Sequence, residues 1–150
     1  MERKLPQNPS SNNHQVPKEM QGQQITKQSP PANIIKKVAI VDDEKDIRSA
    51  MSLILRKAGH EVVISTANGE EIVDSIVNEN PKREIDTILM DYSMQGMNGI
   101  EASRIIKNKK PGTKIIFVSA ADIRDEVEDA GFAFIAKPFS IRKLLEVVAD

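Results

Sequence analysis

The sequence predicts an α/β domain built as a doubly wound, five-stranded parallel sheet, (βα)5, and three observations predict it. After Ile34, short apolar runs alternate five times with segments of helical period. Runs one, three and four are almost continuously apolar, the pattern of strands covered on both faces. The runs end in polar residues, where an open parallel sheet binds its ligands.

The elements follow in order. Lys36–Val41 (KKVAIV) is an apolar run ending in acids. Glu44–Ala58 carries Ile47, Ala50, Met51, Ile54 and Ala58 at helical spacing, and Gly59 closes it. Glu61–Ser65 (EVVIS) is β-branched and predicts a strand. Gly69–Asn80 predicts a helix with Ile72, Val73, Ile76 and Val77 on one stripe, and Pro81 follows it. Ile85–Met90 is the third strand. Asn98–Asn108 is the third helix, anchored by Ile100, Ile105 and Ile106. Thr113–Ser119 is the fourth strand, Ala121–Ala130 a short acidic helix, and Phe132–Ala136 the fifth strand. Ser140–Val148 is the last helix, with Ser140 as N-cap and Ile141, Leu144, Leu145 and Val148 facing inward. Right-handed crossovers put helices on both faces, and the strand order taken is 2-1-3-4-5.

Composition divides the chain. Residues 1–33 hold five of the eight prolines and six of the seven glutamines. They are expected to form a disordered tail, because burial there cannot offset the entropy of ordering. Residues 34–150 form the folded domain. The net charge of −1 gives no footprint for direct nucleic-acid binding. Zero cysteines exclude a disulfide framework, a thiolate metal site and a cysteine nucleophile. No apolar run approaches the ~18 residues of a membrane span, and the N-terminus lacks the apolar core of a signal peptide. A cytoplasmic location without membrane contact is expected.

The strand tips carry the chemistry. Strand one ends in Asp42 and Asp43, strand two in Ser65 and Thr66, strand three in Asp91, strand four in Ser119, and strand five in Lys137 and Pro138. In the order 2-1-3-4-5 strands one and three are neighbours, so Asp42, Asp43 and Asp91 converge. Crowded carboxylates either take up protons or bind a cation. An oxygen-only donor set points to a hard ion, and Mg²⁺ suits it because it keeps waters and leaves room for a phosphoryl oxygen. Such an ion with a lysine and a hydroxyl is equipment for phosphoryl transfer. Asp91 would be the nucleophile, and Lys137 would pair with a phosphoryl oxygen.

With these residues in place, the chain resembles the response regulator receiver domains of two-component signalling, of the single-domain, chemotaxis type. The matching residues are Val41-Asp42-Asp43, Ile88-Leu89-Met90-Asp91, Met94, Gly96 and Gly99, Val118-Ser119-Ala120, and Lys137-Pro138-Phe139. The match runs from about Lys36 to Asp150. The resemblance implies a flavodoxin-like fold. It makes Asp91 the phosphoacceptor and gives Mg²⁺ to Asp42, Asp43, Asp91 and the backbone carbonyl of Ser93. It implies that Lys137 and Ser119 contact the phosphoryl group, and that Ser119 and Phe134 move as a switch. It implies a cis bond before Pro138. It further implies a histidine kinase or phosphotransfer protein as donor, a downstream protein as receiver of the signal, and no enzymatic activity beyond self-phosphorylation and dephosphorylation. No second domain is expected after the fifth helix, so output is expected to pass to a partner.

Three departures stand out. Gln95 replaces a frequent proline, Ser93 and Ala121 occupy positions that tune phosphoryl lifetime, and the stretch from Ser119 to Lys137 is short, which shortens the fourth helix. Two alternatives share part of this residue set. A small aspartyl-phosphate phosphohydrolase would share the acids and the lysine but usually has a second Asp where Ser93 stands. A receiver-like scaffold would not need the complete acid, lysine and hydroxyl set. No Gly-rich nucleotide motif follows strand one. Taken alone, Asp42 and Asp43 also read as helix caps, Ser119 as structural and Phe134 as core. Arg104, Lys107, Lys109 and Lys110 read as a solvated helix end. His14 and His60 have no companions suggesting a ligand or base.

Overall fold

In the computed structural model, which describes residues 34–120 and 122–150, the strands are β1 (Lys37–Val41), β2 (Glu61–Thr66), β3 (Thr87–Met90), β4 (Lys114–Ser119) and β5 (Ala133–Ala136). All pair in parallel, in the order β2-β1-β3-β4-β5. The helices are α1 (Lys45–Lys57), α2 (Gly69–Val73), α3 (Gly99–Lys109), α4 (Arg124–Asp129) and α5 (Ile141–Ala149). The predicted fold class and strand order both hold. The expectations for residues 1–33 and for Ala121 lie outside the described residues.

The strand order fixes which face each helix covers. The step from β1 to β2 runs one way along the sheet, and the later steps run the other way. With right-handed crossovers, α1 must therefore lie opposite α2, α3 and α4. The core divides accordingly. Ala39, Val41, Ile88, Met90, Ile115 and Phe117 pack with Ile72, Ile100, Ala102, Ile106 and Val127. Val38, Ile40, Leu89, Ile116, Val118 and Ile135 pack with Met51, Leu55, Leu144 and Val148 of α1 and α5. Successive strand residues alternate between the two layers, which is why these strands had to be apolar throughout.

Caps are local and legible. Asn68, Asn98 and Ser140 each accept a backbone N–H from three residues on, at 2.9, 2.9 and 3.0 Å. Some boundaries differ from those predicted. The helix predicted over Gly69–Asn80 is α-helical only to Val73 and continues as a π-helix over Asp74–Glu79. Asn80 N–H bonds the Ser75 carbonyl at 3.2 Å, the wider ring of that geometry. An apolar stripe over two turns cannot distinguish the two windings. Strand β3 starts at Thr87, and just before it the Asp86 carboxylate accepts the Lys37 N–H at 2.7 Å. Helix α4 starts only at Arg124, later than the predicted Ala121. Among the described residues no helix is long and apolar enough to cross a membrane.

His60 has a structural role that its sequence context did not show. It is buried, and its Nδ1 accepts the Lys36 N–H at 3.1 Å. Burial, then the Lys36 charge, hold its pKa below the ordinary histidine value. Below about pH 6.5 the unfolded chain protonates this imidazole before the folded chain does, so stability falls as pH drops through that window. Relative to His60→Asn, whose amide oxygen accepts without titrating, the parent is expected to lose melting temperature as pH falls from about 7 to 5.5, a difference that isolates His60 from the opposite effect of Asp91. Equal slopes in the two proteins would assign the decline to other groups.

Candidate functional site

The site forms where the sheet's hydrogen-bond ladder runs one residue past the strand ends. Asp42 N–H bonds the Thr66 carbonyl at 3.1 Å, and Asp91 N–H bonds the Val41 carbonyl at 2.9 Å. Lys137 N–H bonds the Ser119 carbonyl at 2.9 Å. The backbones of Asp42, Asp91 and Lys137 are thus held by the sheet, and their side chains leave from its carboxyl edge.

Asp42 is wholly buried. Its Oδ2 takes the Lys137 Nζ at 2.7 Å, its Oδ1 accepts the Glu44 N–H at 2.9 Å, and its carbonyl accepts Arg48 at 2.7 Å. Asp42 thus holds the turn leading into α1 and faces the lysine at once, but the helix itself has no side-chain cap, so the capping reading does not hold for it. Lys137 Nζ also lies 3.8 Å from Asp91 Oδ1 and 3.8 Å from Glu44 Oε1. Asp91 is buried, and its Oδ1 accepts the Tyr92 N–H at 2.9 Å.

The electrostatics are unbalanced toward negative charge. Burial, then the Asp42 carboxylate, push the Asp91 pKa up to about 6, with Asp43 adding slightly. Lys137 and the Tyr92 N–H pull it down without cancelling the rise. For Lys137, burial opposes the charge, but the hydrogen bond to Asp42 and the charges of Asp91, Asp42 and Glu44 outweigh it and raise its pKa. One ammonium does not neutralise these acids. Carboxylate oxygens of Asp42, Asp43 and Glu44 lie within 4.8 Å of one another. The donors are oxygen only, and the Asp91 carboxylate gains from a further positive charge, so a hard divalent cation suits the site.

Glu44 is the member that sequence reasoning missed. Its sequence context marks only the start of a helix, although its place directly after Asp42 and Asp43 is a signal. Gly99 enters the sequence reading through the resemblance alone, and the structure shows why glycine stands there. A Cβ at Gly99 would run into the Asp91 carbonyl oxygen and lie 2.7 Å from Phe117 Cε1. The remaining predicted residues are placed as follows. Ser119 is buried at the end of β4. Ser93 is exposed in the loop after β3. Phe134 is half-buried on β5, with the Arg124 guanidinium 4.7 Å above its ring. The Lys137–Pro138 peptide bond is cis. Tyr92 donates its hydroxyl to Glu126 of α4 at 3.1 Å.

Comparison with known proteins agrees with this arrangement. Residues 38–149 match the family model of the response regulator receiver domain. The chain is 35% identical over 117 residues to the chemotaxis protein CheY of Thermotoga maritima, across 75% of this chain and 94% of that protein. Among solved structures, a chain of the CheX–CheY–BeF3–Mg²⁺ complex of Borrelia burgdorferi superposes with a TM-score of 0.68 at 30% identity, across 75% of this chain and 86% of that one. The Mg²⁺–BeF complex of the response regulator TrrA of Thermotoga maritima gives 0.65 at 32% identity, across 76% and 96%. Five parallel strands in the order 2-1-3-4-5, three acids and a lysine at their tips, and a match over most of the described residues carry one conclusion. The chain belongs to the response regulator receiver family and is a phosphoacceptor switch of two-component signalling.

Proposed function

We propose that Asp91 is the phosphorylated residue, and that the acids and lysine around it are the machinery for that step. The observation that carries this is Lys137 Nζ lying 2.7 Å from Asp42 and 3.8 Å from Asp91. A compact positive charge thus stands beside a carboxylate already short of neutralisation.

Asp42, Asp43, Asp91 and the Ser93 carbonyl would hold Mg²⁺, which supplies neutralisation of the equatorial phosphoryl oxygens. Glu44, whose carboxylate lies within 4.8 Å of those of Asp42 and Asp43, would add to the negative field that attracts the ion. An Asp91 oxygen attacks phosphorus of a phosphohistidine presented by a histidine kinase or phosphotransfer protein. The new O–P bond forms as the P–N bond breaks, and the imidazole leaves with that bond's electron pair. Lys137 follows the charge from Asp42 toward the phosphoryl oxygens. Ser119, at the adjacent strand tip, donates its hydroxyl to the same group. The movement frees space that Phe134 enters, which alters the surface of α4 and β5 and passes the signal to a downstream protein. The protein acts in the cytoplasm.

The test is to incubate the chain with acetyl phosphate and Mg²⁺ and map the modified residue by mass spectrometry. One phosphoryl group, on Asp91 and dependent on Mg²⁺, is the expected result. Modification elsewhere, or indifference to chelation, would defeat the assignment. Steady turnover of a small phosphomonoester would favour the phosphohydrolase alternative instead.

A further inference from the structure

We propose that Glu70 is a positioning residue for the loop that follows Asp91, and the inference rests on the role of Asp91 given above. Glu70 lies in the first turn of α2, outside the cluster of acids and lysine. Its Oε2 accepts the Met97 N–H at 2.6 Å. Gly96 stands at φ +80°, and a side chain there would begin 2.9 Å from both Glu70 carboxylate oxygens. Glycine at 96 therefore leaves the room that the carboxylate occupies. On the helix side, a Cβ at Gly69 would lie 2.8 Å from the Met97 carbonyl oxygen and 3.2 Å from Met97 Cβ. Loop and helix meet at closest approach, with one hydrogen bond joining them.

The rest of the loop is tied at its end. Gly99 N–H bonds the Tyr92 carbonyl at 3.3 Å, and Asn98 caps α3. The middle, from Ser93 to Gly96, has no proline to restrict it, since Gln95 stands there. Glu70 supplies the restriction from outside. Met97 is four residues from Ser93 and six from Asp91. Holding Met97 reduces the conformations open to the Ser93 carbonyl, so less ordering remains to be done when a cation binds. Glu70 acts on the ion through the loop, as a supporting residue that orients ligands without touching the metal.

The experiment compares the full chain with Glu70→Ala, Glu70→Asp and Glu70→Gln. Alanine removes the acceptor, aspartate keeps the charge but loses the reach, and glutamine keeps an acceptor without the charge. Calorimetric titration with Mg²⁺ is expected to show affinity weakened roughly tenfold in the Ala and Asp variants. The Gln variant should stay within about twofold of the parent, because its amide oxygen still accepts the Met97 N–H. In the metal-free protein, the Met97 amide should exchange its hydrogen faster in the Ala and Asp variants. Their modification by acetyl phosphate should be slowed at low Mg²⁺ and restored at saturating Mg²⁺. Parent-like Mg²⁺ affinity in Glu70→Ala would overturn the proposal, as would a Gln variant as weak as the Ala variant, which would make charge the cause. Loss of the fold in both Ala and Asp variants would make Glu70 a structural residue and overturn it too. If the parent chain is itself not modified at Asp91, the role of Asp91 fails. If the parent is modified and the Glu70 variants match it, only the present inference fails.

Discussion

Asp91→Asn is expected to lose Mg²⁺-dependent modification completely and, without Mg²⁺, to melt at a higher temperature than the parent. The first effect follows from chemistry, since a neutral amide cannot attack phosphorus as a carboxylate does. The second follows from the field at the site. The pKa of Asp91 is about 6 against an ordinary 3.8, so its carboxylate is less comfortable folded than unfolded. A raised carboxylate pKa means that the folded state binds the proton more tightly. The penalty is therefore absent below about pH 3.8, grows up to about pH 6, and is constant above. Taken at face value the shift corresponds to about 3 kcal/mol, and relaxation and water entry should leave about 1–2 kcal/mol. The asparagine variant should gain that much at pH 7, visible as a higher urea midpoint. Added Mg²⁺ should reverse the order, because the ion binds the folded parent more tightly than the variant. A metal-free variant less stable than the parent would show that the acids at this site are not in conflict.

Lys137→Ala is expected to act in the opposite direction on stability. The ammonium is only 12% exposed and the Asp42 side chain 0%. Removing it leaves the Asp42 Oδ2 charged and buried, and strips Asp91 of its nearest positive neighbour. Breaking a buried pair by deleting one partner costs about 3 kcal/mol or more. Saturating Mg²⁺ should recover much of that loss, since a cation can replace the missing charge. Phosphorylation at saturating Mg²⁺ should still be slower by on the order of 10²-fold, the scale of losing one preorganised charge. Urea melts with and without Mg²⁺ separate the two effects. A variant as stable as the parent without Mg²⁺ would mean that the pair contributes little.

The two variants probe one design. The metal-free site sacrifices stability to keep three acids together, and Lys137 is the internal counterion that makes the fold tolerable. Under the proposed function, the same lysine would exchange its bond to Asp42 for one to a phosphoryl oxygen.

Much of this was legible before any coordinates. The fold followed from five apolar runs, because a strand covered on both faces by helices must be apolar at every position. Val38 through Val41 and Ile115 through Val118 show it directly, with alternate residues serving opposite layers. The residues at the strand tips were legible because sheet topology, not local sequence, collects them at one edge. Some boundaries misled. The π-helix over Asp74–Glu79 has the same stripe as an α-helix, and the late start of α4 left no clear mark in an acidic stretch.

The linear chain by itself determined the class of fold and the types of residue at the strand ends, since both depend on hydrophobic period and local sequence, whereas the strand order 2-1-3-4-5 was taken with that class and is seen in the structure. Only the tertiary structure decided which oxygen faces the Lys137 ammonium, that Glu44 joins the acids, that Gly99 admits the Asp91 carbonyl, and that Glu70 reaches Met97. Those facts depend on distances of a few ångströms between residues far apart in sequence. Such distances are set by how the helices pack on the sheet, which no local pattern encodes.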